Sequence, residues 1–301
     1  MLTFPVTNLF IEGPDCSGKT TLISEIHRRT SYRWHIHDRS QLSRNIFANL
    51  YSRDLPRIKD DLHLEISNLN NRFVFLLPDF DVIKRRFEER GDDIHKSVES
   101  MRSVYAGFCD AHSEVLGYPN VICSYKENTE DICSNVVASL DLLERALLKE
   151  VSDQVFSFVK FNRGEAYPLQ FTLYDDGEFE EAKRDSMDYE PEREYYEKIY
   201  NGLHEKITRE LDGQNEYGRR ETSSSRRFVY TDDSCISFIQ FAIRERMMDF
   251  HVVLRSSDTK KTFEHDLKFL YYLASTCYDL FYRECDIVRL RFNLNSAHVV
   301  E

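Results

Sequence analysis

The sequence predicts an α/β fold, with a parallel sheet flanked by helices over residues 1–150 and a second domain over 151–301. Three observations predict it. The run Gly13-Pro14-Asp15-Cys16-Ser17-Gly18-Lys19-Thr20 reads G-x-x-x-x-G-K-[ST]. It lies between an apolar stretch, Leu9-Phe10-Ile11, and a stretch of helical spacing, Leu22, Ile23 and Ile26. Strand-like and helix-like segments then alternate to residue 149, and the composition shifts near Val151 in a chain of 301 residues, enough for about two domains of ~150 each.

A strand feeding a glycine turn that opens a helix leaves a row of backbone N–H groups aimed at one spot, with the helix dipole behind them. That is an anion site suited to the β-phosphate of a nucleotide. Lys19 would reach the β/γ-oxygens and the Thr20 hydroxyl would hold Mg²⁺. The next strand is predicted at Arg33–His37, ending in Asp38-Arg39-Ser40. Helices follow over Gln41–Tyr51, with Leu42, Ile46, Phe47 and Leu50 on one face, and over Asp60–Leu69. Phe73–Leu77 reads as a buried strand and Asp81–Glu89 as a helix basic on one side. Gly91-Asp92-Asp93 breaks it, Ile94–His112 resumes as helix, Val121–Cys123 is a short strand, and Thr129–Lys149 a closing helix.

In the second domain, Asp175–Glu197 reads as a charged loop leading into an amphipathic helix to Leu211, and Gly213–Ser225 as a polar, turn-rich stretch. Ile236–Ile243 fits neither period and stays open between helix and strand. Arg244-Glu245-Arg246 reads as a turn, Asp249–Leu254 as a strand, Phe269–Phe281 as an apolar helix and Ile287–Leu294 as a strand.

Composition bounds the function. The net charge of −12 argues against broad, sequence-independent DNA binding, which is driven by phosphate neutralisation. No run approaches the ~20 apolar residues of a membrane span, and the N-terminus lacks a basic, apolar leader. Seven cysteines without a CxxC pair argue against a disulfide framework and a zinc site, so a reducing, cytoplasmic setting is expected.

Asp38 and Arg39 end a strand at the edge where open sheets place their ligands. Lys84, Arg85, Arg86 and Arg90 precede a glycine, as a basic lid over a transferring phosphate would, or as a solvated helix face would. The run Ile11–Leu22, the Asp38-Arg39 pair and the Lys84–Arg90 cluster together resemble the thymidylate kinase family, over roughly residues 7–150. The resemblance implies ATP and Mg²⁺ as cofactors and a pyrimidine deoxynucleotide as acceptor. It makes Gly13, Asp15, Ser17, Gly18, Lys19, Thr20 and Thr21 the cofactor-binding residues, with Thr20 on the metal. Lys19, Asp38, Arg39 and Arg86 become the catalytic set, and Asp15 lies near the acceptor sugar. Ser40 stands where the family commonly has an aromatic.

Beyond residue 215, Ser225-Arg226-Arg227, Cys235, Gln240-Phe241, Arg255-Ser256-Ser257-Asp258, Asp266 and Ser296-Ala297-His298 resemble, in order, the thymidylate synthase and pyrimidine hydroxymethylase family. That resemblance implies an α+β C-terminal domain. It places the nucleophile at Cys235, a phosphate site at Arg255 and Ser256, base reading at Asp266 and a sugar contact at His298. Arg226 and Arg227 would reach a phosphate across a homodimer interface. Ile236 replaces the histidine expected after the nucleophile, and Val300 an expected tyrosine. The domain is therefore expected to be degenerate, a nucleotide pocket or a dimerisation platform. The expected function is ATP-dependent phosphorylation of a pyrimidine deoxynucleotide, with modified-pyrimidine metabolism of bacterial viruses, in the host cytoplasm, as the setting. The alternatives are a kinase acting on 5-hydroxymethyluracil within modified DNA, a non-catalytic nucleotide sensor, and an active hydroxymethylase fused to its kinase.

Overall fold

A computed structural model describes residues 1–300 apart from 54–57, 92–94, 96, 143–145, 218–227 and 282. The chain forms two compact units, one of Val6–Leu143 and one of Met1–Pro5 with Glu144–Glu301. A short first strand, β1 (Leu2–Thr3), belongs to the latter.

The Val6–Leu143 unit runs β2 (Asn8–Glu12), α1 (Lys19–Thr30), β3 (Ile36–Asp38), α2 (Gln41–Leu50), α3 (Ile58–Ile66), β4 (Asn71–Leu76), α4 (Phe80–Arg90), α5 (Val98–Val115), β5 (Val121–Ser124) and α6 (Thr129–Asp141). Its four strands are all parallel, in the order β3-β2-β4-β5. Alternation along the strands divides their side chains between two faces. Leu9, Ile11, Val74 and Leu76 pack with Leu22 and Ile26 of α1 and Ile132, Val136 and Leu140 of α6. Phe10 and Phe73 stack on each other, and Phe75 meets His112 of α5. Burial of this kind on both faces is what near-continuous apolar strands require. The closing helix expected over Thr129–Lys149 is two: α6 stops at Asp141, and a new helix begins at Leu148 with its own cap, where Glu150 accepts the Leu147 N–H at 3.0 Å.

The second unit continues with α7 (Leu148–Phe161), β6 (Glu165–Ala166), β7 (Leu169–Asp175), α8 (Arg193–Tyr217), β8 (Val229–Thr231), β9 (Ile236–Arg244), β10 (Met247–Leu254), β11 (Ser257–Asp258), α9 (Phe263–Phe281), β12 (Ile287–Leu294) and β13 (Ala297–His298). Its main sheet is mixed, in the order β1-β7-β12-β10-β9-β8, beside a small sheet β11-β13-β6. Ile236–Ile243, ambiguous by period, is a strand because it pairs antiparallel with β10 across a two-residue turn. Glu245 and Arg246 there have φ +50° and +64°, the backbone of a tight hairpin turn that matches strand twist. β7 was not anticipated, although Leu169, Phe171 and Leu173 alternate inward and Phe171 stacks on Phe292 at 4.7 Å. No helix among the described residues is long and apolar enough to cross a membrane.

Candidate functional site

The turn between β2 and α1 is shaped by glycine. Gly13 has φ +147°, and a Cβ there would lie 2.6 Å from the Leu76 carbonyl oxygen, so the approach of the turn to β4 excludes any side chain. Gly18, at φ +101°, is the N-cap of α1 and offers no side chain to its N–H groups. The first turn of α1 carries no acid, while His27, Arg28 and Arg29 close its last turn, so the dipole is left open toward an anion at the N-terminus. Ser17 Oγ is buried beside Gly13 with no partner among the described residues.

Lys19 is buried, and its Nζ donates to the carbonyls of Gly13 (2.8 Å) and Pro14 (2.9 Å), with Asp15 Oδ1 at 4.0 Å. Burial pushes its pKa down, against the pull of Asp15. The ammonium is thus parked on two neutral acceptors of its own loop, and a phosphate oxygen is a stronger one. Thr20 and Thr21 are exposed in the first turn. Arg86 of α4 donates to the carbonyls of Cys16 (3.3 Å), Ser17 (3.1 Å) and Glu127 (3.4 Å), which sets its guanidinium against the turn. Of the other basic residues of α4, Arg85 meets Glu127 at 3.4 Å, Lys84 meets Glu88 at 3.9 Å, and Arg90 is exposed at the C-terminus.

Beside the turn lies a cavity of about 530 Å³. Asp15 forms part of its wall and gathers Arg39 Nη2 at 2.6 Å and His95 Nε2 at 3.2 Å. Arg39 lies over the Phe47 ring at 4.8 Å and Arg53 over the Tyr51 ring at 5.3 Å. Arg44 also lines the cavity, its Nη1 donating to Gln41 at 3.4 Å. Neither Arg44 nor Arg53 has a carboxylate partner among the described residues. Glu12, the last residue of β2, is fully buried and accepts the Ser40 N–H at 2.6 Å and the Ser43 hydroxyl. Burial raises its pKa, against the hydrogen bonds of Ser40 and Ser43. A smaller cavity of about 230 Å³ lies at the end of β5, lined by Ser124, Tyr125, Lys126 and Asn135.

Gly13, Asp15, Ser17, Gly18, Lys19, Thr20 and Thr21 are thus gathered at the turn, with Arg39 and Arg86 on either side of it. Asp38 ends β3 opposite Ile11, on the same edge of the sheet, and its charge acts on Lys19. Sequence reasoning missed Glu12, Arg44, Arg53 and His95. Phe47 and Tyr51, spaced i, i+4, were the available signal for the cavity, but Phe47 reads equally well as core.

In the second unit, Cys235 is exposed just before β9, and the Arg255 N–H donates to its carbonyl at 2.8 Å. Ser256 Oγ is 3.5 Å from His298 Nδ1, and β11 pairs Asp258 with His298. Asp266, buried in α9, accepts the Tyr196 hydroxyl at 2.8 Å, and burial pushes its carboxyl up to about 7. The Tyr195 hydroxyl accepts the Ile236 N–H at 2.7 Å and the Ser234 hydroxyl at 2.8 Å. Partial desolvation raises the Cys235 thiol above its ordinary range; Asp266 and Glu192 add to this and Arg255 opposes it. Arg226 and Arg227 lie outside the described residues.

No family model and no curated protein matches the chain. Solved structures with some likeness include the YorR protein of Bacillus subtilis in complex with phosphorylated GDP, at 18% identity and TM-score 0.37, covering 45% of this chain and 96% of that one. Another is deoxyadenosine kinase from M. mycoides with the products dCMP and dCDP bound, at 10% identity and TM-score 0.36, covering 46% of this chain and 100% of that one. Thymidylate synthase from T4 phage has 20% identity and TM-score 0.18, covering 22% of each chain.

Proposed function

We propose that the chain transfers the γ-phosphoryl group of ATP to a pyrimidine deoxynucleotide, dTMP or a 5-modified dUMP or dCMP. One observation carries the reading: Asp15 belongs both to the glycine turn and to the wall of the arginine- and aromatic-lined cavity. An anion held by the turn and a ligand in the cavity would meet at that carboxylate, as donor and acceptor must for in-line transfer.

The donor side fits a polyphosphate. The open N-terminus of α1 and the orphaned Ser17 hydroxyl supply donors, and Lys19, held by two neutral carbonyls with Asp15 4.0 Å away, is the cation beside them. Thr20 would hold a divalent cation, whose chemistry is to neutralise charge on the β- and γ-oxygens. Arg86 is placed to stabilise charge as it spreads over the equatorial oxygens. The small cavity at β5 is the candidate seat of the donor base.

On the acceptor side, Arg39 is matched by Asp15, whereas Arg44 and Arg53 have no carboxylate partner among the described residues. Two such guanidiniums balance one phosphate monoester, whose charge is about −1.5 to −2, and this favours a free monophosphate over a base within DNA. An acceptor phosphate oxygen would attack the γ-phosphorus, the bond to the bridging oxygen would break, and ADP would leave. The anionic nucleophile needs no general base.

For the second unit we propose nucleotide holding or homodimerisation rather than methylene transfer. The engagement of Asp266 by Tyr196 supports this, since it uses a group that base reading would need. The test is a panel of deoxynucleoside monophosphates and hydroxymethylated DNA with γ-labelled ATP. Labelled pyrimidine diphosphates are expected. Label only in DNA would move the acceptor to the base, and ATP binding without transfer would leave a sensor.

A further inference from the structure

We propose that Glu12 is a positioning residue: by fixing the Arg39–Ser40 peptide, it holds the Arg39 guanidinium on Asp15 and so sets the wall of the acceptor cavity. The inference rests on the kinase reading of that cavity. Arg39 sits at φ +85°, a region that a side-chain-bearing residue rarely occupies and keeps only when its surroundings impose it. The imposing bonds lie on both sides of it. The Arg39 N–H donates to the Ile11 carbonyl at 3.1 Å, and the next N–H, that of Ser40, donates to Glu12 at 2.6 Å. The other Glu12 oxygen accepts the Ser43 hydroxyl one turn into α2. Glu65 accepts the Gln41 N–H at 2.9 Å, and Ser40 Oγ accepts the Leu42 N–H at 3.0 Å.

Two consequences follow. The start of α2 already has side-chain acceptors, so the acceptor's charge falls to arginine side chains rather than to that helix end. And Glu12, adjacent to Gly13, ties the corner that carries Arg39 to the strand that carries the turn. A fully buried carboxylate is destabilising unless it is hydrogen-bonded or paired. Here both oxygens are used, and both on the Ser40–Ser43 segment.

The experiment is steady-state kinetics with ATP and dTMP, alongside calorimetric binding of dTMP alone, on wild type, Glu12→Ala, Glu12→Gln, Arg39→Ala and the Glu12→Ala/Arg39→Ala double variant. Glutamine keeps an acceptor for Ser40, so it is expected to hold the acceptor KM within about threefold of wild type. Alanine should raise it about tenfold or more while the ATP KM stays within about twofold, the size of one lost charged hydrogen bond. The double variant should match Arg39→Ala. If Glu12→Ala does not fold, Glu12→Asp, one methylene too short to reach both donors, takes its place in the cycle. Unchanged acceptor KM, equal loss for both substrates, additive effects with Arg39→Ala, or failure of glutamine to rescue would overturn the inference. Wild-type binding of dTMP without transfer would overturn the kinase reading alone, leaving Glu12 to be judged by the dTMP Kd. No binding would end both.

Discussion

Lys19 rests on the carbonyls of Gly13 and Pro14, and that resting place makes its contribution separable from the fold. Lys19→Ala should lower turnover by at least about 10²-fold, in the range of lost transition-state charge contacts, with an unchanged circular dichroism spectrum. Turnover within tenfold of wild type would remove Lys19 from the chemistry. Asp266 makes a prediction about pH. Its carboxyl is raised from 3.8 to about 7, so its contribution to stability is fully present below the unfolded value and is lost as pH rises through about 7. Denaturant midpoints of wild type should therefore fall between pH 5 and pH 8 relative to those of Asp266→Asn; parallel profiles would contradict this. Lys19, Asp15 and Arg39 were legible in the sequence because a fixed spacing ties each to a turn or a strand end. Glu12, Arg44, Arg53 and His95 were not, because burial and a shared cavity, invisible to spacing, give them their meaning.

Among the elements, β2, α1 and β4 fix the site, and their apolar runs and glycine turn were readable directly. Gly13→Ala should abolish nucleotide binding, since a methyl group would meet the Leu76 carbonyl at 2.6 Å on a backbone at φ +147°. Nucleotide titration showing a Kd within threefold of wild type would refute the tight turn. Elsewhere local pattern was not enough. β9 became a strand through its partner β10, and the helical run from Thr129 was cut where a second cap, Glu150, begins α7. In α8, Tyr195 binds the Ile236 N–H and Ser234 while Tyr196 binds Asp266, so one helix turn is stapled across the Cys235 region. Tyr195→Phe should lower stability by about 1–3 kcal/mol by stranding those groups, read from urea midpoints, and a change below 0.5 kcal/mol would show the staple to be idle.

At the scale of the whole molecule, each of the two compact units brings together residues that the sequence had marked for nucleotides: Lys19, Arg39 and Arg86 about the turn of one, and the pairs Cys235–Arg255 and Ser256–His298 in the other. The proposed homodimer should sediment at twice the 35.7 kDa of the chain, and a deletion of residues 151–301 that remained dimeric would place the interface elsewhere. The net charge of −12 predicts weak binding to unmodified duplex DNA that falls further with salt. The central claim, that the glycine turn and the arginine cavity are donor and acceptor halves of one site, is tested most directly by a single-turnover experiment. Protein in excess over γ-labelled ATP and magnesium is mixed with dTMP and quenched on the millisecond scale. The account predicts that label passes from ATP into dTDP and that Lys19→Ala stops it; label that stays in ATP or appears only as inorganic phosphate would contradict it.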